Sequence, residues 1–298
     1  MTELSSTTAI WGAWRALAHD QSKTPEGFAK RLQACLERDI VWIDHADIYD
    51  NGAVESLHGE AMIELTPSDR KRLKLITKCG VRFVCPEQDG VRVGHYRSDA
   101  LFIRQQVEGS LARLRTEQVD LLLLHRPDYL MQAEETARAL EDLVASGKVK
   151  AFGVSNFSIH QFARLQSATT APLAAHQVEF SPLMSTALDD GTLDLSHTAP
   201  HPLLAWSPLG GGRLFDASDI QAGRVREALA RTGERLGETD LATLCLAWVS
   251  HTAPHVIPVV GTMSMDRLCA QLDGLARIRM DHQDWYDILE AGRGAPVP

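Results

Sequence analysis

Eight short apolar runs, each followed by an amphipathic stretch, constrain this chain more than any other feature. They cover residues 10–14, 41–44, 73–78, 120–125, 149–155, 174–179, 203–206 and 256–261. The middle runs are apolar at nearly every position rather than at alternate ones, as strands covered on both faces must be. The intervening stretches carry helical spacing. Phe28, Leu32, Cys35 and Leu36 share a face behind a Thr24-Pro25 start, and Ile103, Val107, Leu111 and Leu114 form a stripe for which Ser98 is the expected cap. Leu140, Leu143 and Val144 lead to a stop at Gly147, and three later stripes follow Ser158, Asp240 and Ser264. Eight strand–helix units in unbroken succession predict an α/β protein, a (β/α)8 TIM barrel forming one domain over residues 1–298. A doubly wound sheet is the alternative, but the G-x-G-x-x-G turn of dinucleotide-binding sheets is absent, and no linker or low-complexity tract divides the chain.

Three of the runs end on a residue for which a buried strand has no use. Asp44 closes the second, Lys78 the third and His125 the fourth, with Tyr49 five positions beyond Asp44. Singly, each has an ordinary explanation: Asp44 as a helix cap, Tyr49 as a packing residue, Lys78 as a solvated strand end, His125 as a hydrogen-bonded one. On a barrel, however, the C-terminal strand ends converge on one rim, where barrel enzymes work. An aspartate, a lysine, a histidine and a phenol gathered there need a joint explanation, and proton transfer uses all four. Two long connections leave from that rim: residues 80–97, with Arg82, Phe83, Arg92, His95 and Tyr96, and residues 208–222, with Gly210-Gly211-Gly212-Arg213. Connections of that length on a compact domain tend to be functional.

A net charge of -9 with no basic run argues against a nucleic-acid partner. The cysteines number five, with no C-x-x-C pair, which reads as reduced thiols in a cytoplasmic protein. No apolar stretch reaches the roughly 18 residues of a membrane span, and residues 1–9 lack the segments of a signal peptide. Asp44, His45, Asp47 and His125 are conceivable ligands of a metal-dependent hydrolase. That reading has no H-E-x-x-H to support it and leaves Lys78 unexplained, so no metal is expected.

The motifs IDHADIYD (43–50), LITKCG (75–80), LLLLHRPD (121–128), GVSNF (153–157), HQVEFSP (176–182), AWSPLGGGR (205–213) and IPVVGT (257–262) resemble the aldo-keto reductase superfamily, in its order and at its spacing. The resemblance implies NAD(P)H-dependent reduction of an aldehyde or ketone, with Asp44, Tyr49, Lys78 and His125 as the catalytic tetrad. A hydride delivered to a carbonyl builds negative charge on oxygen, which calls for a proton and a hydrogen bond. Tyrosine starts near pKa ~10; burial would raise it, and the Lys78 ammonium is expected to lower it. Asp44 would hold Lys78 charged and His125 would orient the carbonyl. By the same resemblance Ser155, Asn156 and Gln177 meet the nicotinamide carboxamide, Trp206 stacks on its ring with Ser207 and Leu209 alongside, and Gly211 and Arg213 wrap the pyrophosphate. Gly261, Thr262, Ser264, Arg267 and Gln271 fall at the adenosine phosphate. NADPH is the expected cofactor, with NADH possible because only Arg267 among the residues of that last loop is a cation. His45 stands where many relatives have threonine and is read as supporting the site.

Trp14, Phe83, His95, Tyr96 and Phe180 are the expected substrate walls, suiting a small-molecule carbonyl with an apolar or aromatic body. Residues 1–9 are too few for the N-terminal β-hairpin with which relatives plug the barrel, so the plug is expected to be reduced or missing. A non-catalytic alternative is a cofactor-binding regulatory subunit of reductase shape. No heptad or apolar stripe specifies an oligomer.

Overall fold

The structure, a computed structural model, describes residues 2–198 and 201–297. A four-residue helix α1 (Thr2–Ser5) precedes β1 (Ile10–Gly12), α2 (Pro25–Leu36), β2 (Trp42–Asp44), α3 (Ala53–Ala61) and α4 (Pro67–Arg72). Then come β3 (Lys74–Cys79), a two-stranded arm of β4 (Val81–Arg82) and β5 (His95–Tyr96), α5 (Ala100–Leu114), β6 (Val119–Leu124), α6 (Ala133–Ala145) and β7 (Val149–Ser155). The chain continues through α7 (Ile159–Ala168), β8 (His176–Glu179), α8 (Thr192–Thr198), β9 (Leu203–Trp206), α9 (Ile220–Leu236), α10 (Leu241–Thr252), β10 (Val256–Val260), α11 (Met265–Arg277) and α12 (His282–Arg293). Eight strands close a parallel barrel in the order β1-β10-β9-β8-β7-β6-β3-β2, so all eight apolar runs are barrel strands, as expected. No helix among the described residues is long and apolar enough to cross a membrane.

The barrel interior is a layer of apolar side chains: Ile10, Trp42, Ile76, Leu121, Leu123, Ala175, Leu204, Ile257 and Val259. Side chains two apart on a strand point the same way. The position two beyond each inward apolar residue therefore also faces the axis, one level nearer the rim. Trp42 leads to Asp44, Ile76 to Lys78, Leu123 to His125, Ala175 to Gln177 and Leu204 to Trp206. The alternate positions, such as Ile43, Leu75, Leu122 and Leu124, pack outward against the helices.

Local signals set the helices. Thr24, Ser158 and Asp240 cap α2, α7 and α10 with their side chains, and Gly147 adopts φ 75° just past α6. The cap of α5 is Asp99 rather than Ser98: its carboxylate accepts from the Phe102 amide, while Ser98 bonds Asp128 one strand over. The short α1 precedes β1, and its Leu4, almost fully buried, joins the interior layer.

Four histidines lie in the core, and burial is the leading cause that depresses each. His45 falls well below the ordinary imidazole value, His58 and His201 to about 4, and His176 to about 3. They are neutral when folded, so below about pH 6.5 the unfolded chain binds more protons. Stability is complete above that pH and is lost as pH falls toward the folded values. Asp47 works the other way: burial and then Glu55 raise it to about 8, so its contribution is present at low pH and fades as pH rises from about 4 to 8. His58 alone corresponds to roughly 3 kcal/mol once pH reaches its folded value. The net expectation is a melting temperature that falls steadily between pH 6.5 and 4. Thermal melts across that range check it, and a flat profile would contradict it.

Candidate active site

The polar strand ends meet around Lys78, whose side chain is wholly buried. Its Nζ donates to Asp44 Oδ2 at 2.7 Å, to the His45 carbonyl at 2.8 Å and to Tyr49 Oη at 3.0 Å. An ammonium has three N–H donors, and these three acceptors use all of them. Because Tyr49 accepts from Lys78, its own O–H remains free to point into the cavity. Asp44 is held from the other side by Gln177, whose Nε2 donates to Oδ1 at 3.0 Å. His125 stands across from Tyr49, ring centroids 6.2 Å apart and planes at 81°, with Nδ1 buried and without a partner among the described residues.

The turn carrying Tyr49 is built under constraint. Asp50 and Asn51 both adopt left-handed φ, at 46° and 52°, and Gly52 follows at 88°. A Cβ on Gly52 would lie 2.5 Å from Arg113 Nε, so glycine is required there. Asn51 Oδ1 accepts from Gln88 Nε2 at 3.0 Å, fastening the turn to the loop between β4 and β5.

Burial pushes the Tyr49 phenol above its ordinary pKa, and the opposing pull of Lys78 is insufficient to reverse this. The expected depression is thus overturned in the free enzyme: desolvation of the phenolate is the larger effect. Burial also disfavours the Lys78 ammonium, but Asp44 and Tyr49 outweigh it and hold the lysine above its usual value. His125 is driven well below the imidazole range, by burial first and then by Lys78 and Arg126.

A cavity of about 790 Å³ runs from this cluster along the rim. Asp44, Tyr49, His125, Ser155, Asn156, Gln177, Trp206, Ser207, Leu209, Gly211, Gly261, Thr262, Arg267 and Gln271 all line it, as do Trp14 and Phe83. Asn156, at φ 60°, donates from Nδ2 to the His125 carbonyl at 3.2 Å, and its Oδ1 accepts from Trp206 Nε1 at 2.9 Å. That bond fixes the indole with a face toward the opening. Arg15 Nη2 reaches 2.8 Å to the Gly211 carbonyl, joining the first and last thirds of the rim.

Six expected site residues do not line the cavity: Lys78 lies behind Asp44 and Tyr49, and five others stand elsewhere. Arg213 is drawn away to Asp219 and Gln221. Ser264 begins α11 with no side-chain cap bond. Phe180 is fully buried and stacked on Trp248 at 5.4 Å, because its position, one past the end of β8, faces the helices. His95 and Tyr96 lie on the β4–β5 arm, His95 exposed and turned to the Val93 carbonyl, Tyr96 near Tyr129. His45 likewise points outward, its Nε2 3.0 Å from His58 Nδ1. Sequence reasoning missed Arg15, His19, Arg126 and Asp240, which do line the cavity. Arg15 and Arg126 stand just past a strand end, which was the available signal; His19 and Asp240 do not. Among the described residues no group of three or more His, Cys, Asp or Glu is arranged to hold a metal.

A family profile described as Aldo/keto reductase family matches residues 9–292. The 6-dehydroglucose reductase of Agrobacterium fabrum is 37% identical over 295 residues, covering 99% of this chain and 97% of its own. An aldo/keto reductase from Klebsiella pneumoniae, solved in complex with NADP and acetate, is 26% identical with a TM-score of 0.73, covering 98% of this chain and 92% of its own. A glycerol dehydrogenase from Gluconobacter oxydans shares the fold at 24% identity and a TM-score of 0.81, covering 98% and 94%.

Proposed function

Since the chain belongs to the Aldo/keto reductase family, its chemistry is NAD(P)H-dependent carbonyl reduction, and we propose that Asp44, Tyr49, Lys78 and His125 carry it out. The observation that carries this reading is the single ammonium of Lys78 shared between Asp44 and Tyr49 at the cavity wall. When bound, the reduced nicotinamide supplies the hydride. Tyr49 gives the proton to the carbonyl oxygen. Lys78 stabilises the phenolate left behind, which burial would otherwise make costly. Asp44 keeps Lys78 charged and in place. His125, neutral throughout the working range, retains one N–H to donate to the carbonyl oxygen and align it. The balance is one hydride and one proton added across C=O, giving an alcohol and the oxidised nucleotide.

The cavity suits a dinucleotide. Near the tetrad, Ser155, Asn156 and Gln177 offer donors and acceptors for a carboxamide, and Trp206 offers a ring face. At the far end the buried Thr262 Oγ1 and Gln271 Oε1 have no partner among the described residues, and Arg267 supplies a cation. That arginine and the NADP bound by the Klebsiella relative favour NADPH over NADH. Five unpaired thiols support a cytoplasmic site of action.

Titrating the protein with NADPH and NADH while following tryptophan fluorescence tests the cofactor assignment. Saturable quenching by NADPH, with at least tenfold weaker affinity in Trp206→Ala, is expected. Binding that is indifferent to Trp206, or tighter for NADH, would refute this placement or this preference respectively.

A further inference from the structure

Arg126 has a role that the tetrad does not account for. It follows His125 directly, is half-buried, and lines the cavity with its guanidinium 5.6 Å from the Trp206 ring centre. Among the described residues it makes no hydrogen bond and no ion pair, whereas arginines 104, 113 and 231 all hold a carboxylate. Glu179 feels its charge but stands outside the cavity lining. The other charges lining the cavity do not satisfy it: Asp44 is matched by Lys78, and Arg15, held on the Gly211 carbonyl, is itself a cation. This end of the cavity therefore presents one planar donor fork that binds nothing among the described residues.

A guanidinium drawn half out of water, with no acceptor among the described residues, is available to a ligand that supplies a matched pair. We propose that Arg126 is a specificity residue that anchors, through paired hydrogen bonds, an oxygen-bearing group on the chain that carries the reacting carbonyl. The matching chemistry is two acceptor oxygens in one plane: a carboxylate or a pair of neighbouring hydroxyls. This rests on the carbonyl-reductase reading and adds a polar end to the apolar or aromatic body suggested by the walls. Trp14 and Phe83 then flank the carbon chain, and Arg126 fixes its polar end so that the carbonyl faces Tyr49 and His125.

Three aldehydes of similar size separate the possibilities: succinic semialdehyde, D-glyceraldehyde and butanal, each assayed with NADPH in the wild-type enzyme and in Arg126→Met. The expected result is a wild-type kcat/KM at least tenfold higher for one of the oxygenated aldehydes than for butanal. In Arg126→Met that ratio should shrink at least tenfold, chiefly through KM, with partial recovery in Arg126→Lys. The aldehyde that loses more identifies the carboxylate or the hydroxyl pair as the group recognised. Equal losses for all three, or a wild-type preference for butanal, overturn the proposal while leaving carbonyl reduction intact. Absence of turnover with all three, in an enzyme that binds NADPH, would refute both the proposal and the reading beneath it.

Discussion

Replacing Tyr49 by phenylalanine should lower kcat for aldehyde reduction by about 10²–10⁴ and leave NADPH affinity within about twofold, as measured by steady-state kinetics and by fluorescence titration. The substitution removes only the hydroxyl whose oxygen accepts from Lys78 at 3.0 Å. Lys78 keeps its bonds to Asp44 and to the His45 carbonyl, so the buried ammonium is not orphaned and the fold should persist. The same geometry fixes the pH behaviour. Burial holds Tyr49 protonated well past neutrality and holds His125 neutral well below it, so neither group titrates near pH 7. Reduction in the wild type should be flat with pH around neutrality and decline only in alkali, as the phenol loses its proton. Near-normal turnover in Tyr49→Phe would show that another group gives the proton.

Much of the site was legible because strand parity does the placing. Asp44, Lys78, His125, Gln177 and Trp206 each stand two residues beyond an inward apolar side chain, so one period of the strand predicts both their direction and their height on the rim. The same rule, applied with more care, excludes Phe180. It lies one residue past Glu179, out of phase with Gln177, and its place against Trp248 is what parity requires. The seven motifs supplied what parity alone does not: that Tyr49, off any strand, returns to the cluster.

The residues misjudged are those whose position depends on tertiary partners. Arg213 looked like a phosphate-facing cation, but Asp219, the cap of α9, lies six residues on and captures it. His95 and Tyr96 belong to a loop that folds back on itself as the β4–β5 arm, with Val81 opposite Tyr96, and that pairing moves both away from the cavity while Phe83 stays in it. The pKa of Tyr49 escaped for a different reason. Sequence identifies the opposing influences, a buried phenol and a nearby ammonium, but their balance depends on how completely water is excluded, which only the packed site determines.

Removing the carboxylate at position 44 should have the largest effect on stability. Lys78 is completely buried, and among the described residues Asp44 is the only carboxylate bonded to it. Breaking such a pair from one side leaves a charge without compensation and typically costs about 3–5 kcal/mol. Asp44→Ala also takes the acceptor from Gln177 Nε2, so a second buried donor loses its partner. Denaturant unfolding of Asp44→Ala should show a loss of that size together with the loss of turnover. A double variant, Asp44→Ala with Lys78→Met, removes the orphaned charge and should regain most of the stability, because an apolar replacement of a buried ion pair is often tolerated. It should not regain activity, since nothing remains beside Tyr49 to stabilise a phenolate. If Asp44→Ala melts like the wild type, the ion pair is not what holds Lys78 in place. If the double variant reduces aldehydes, the charge on Lys78 is not what allows Tyr49 to give up its proton.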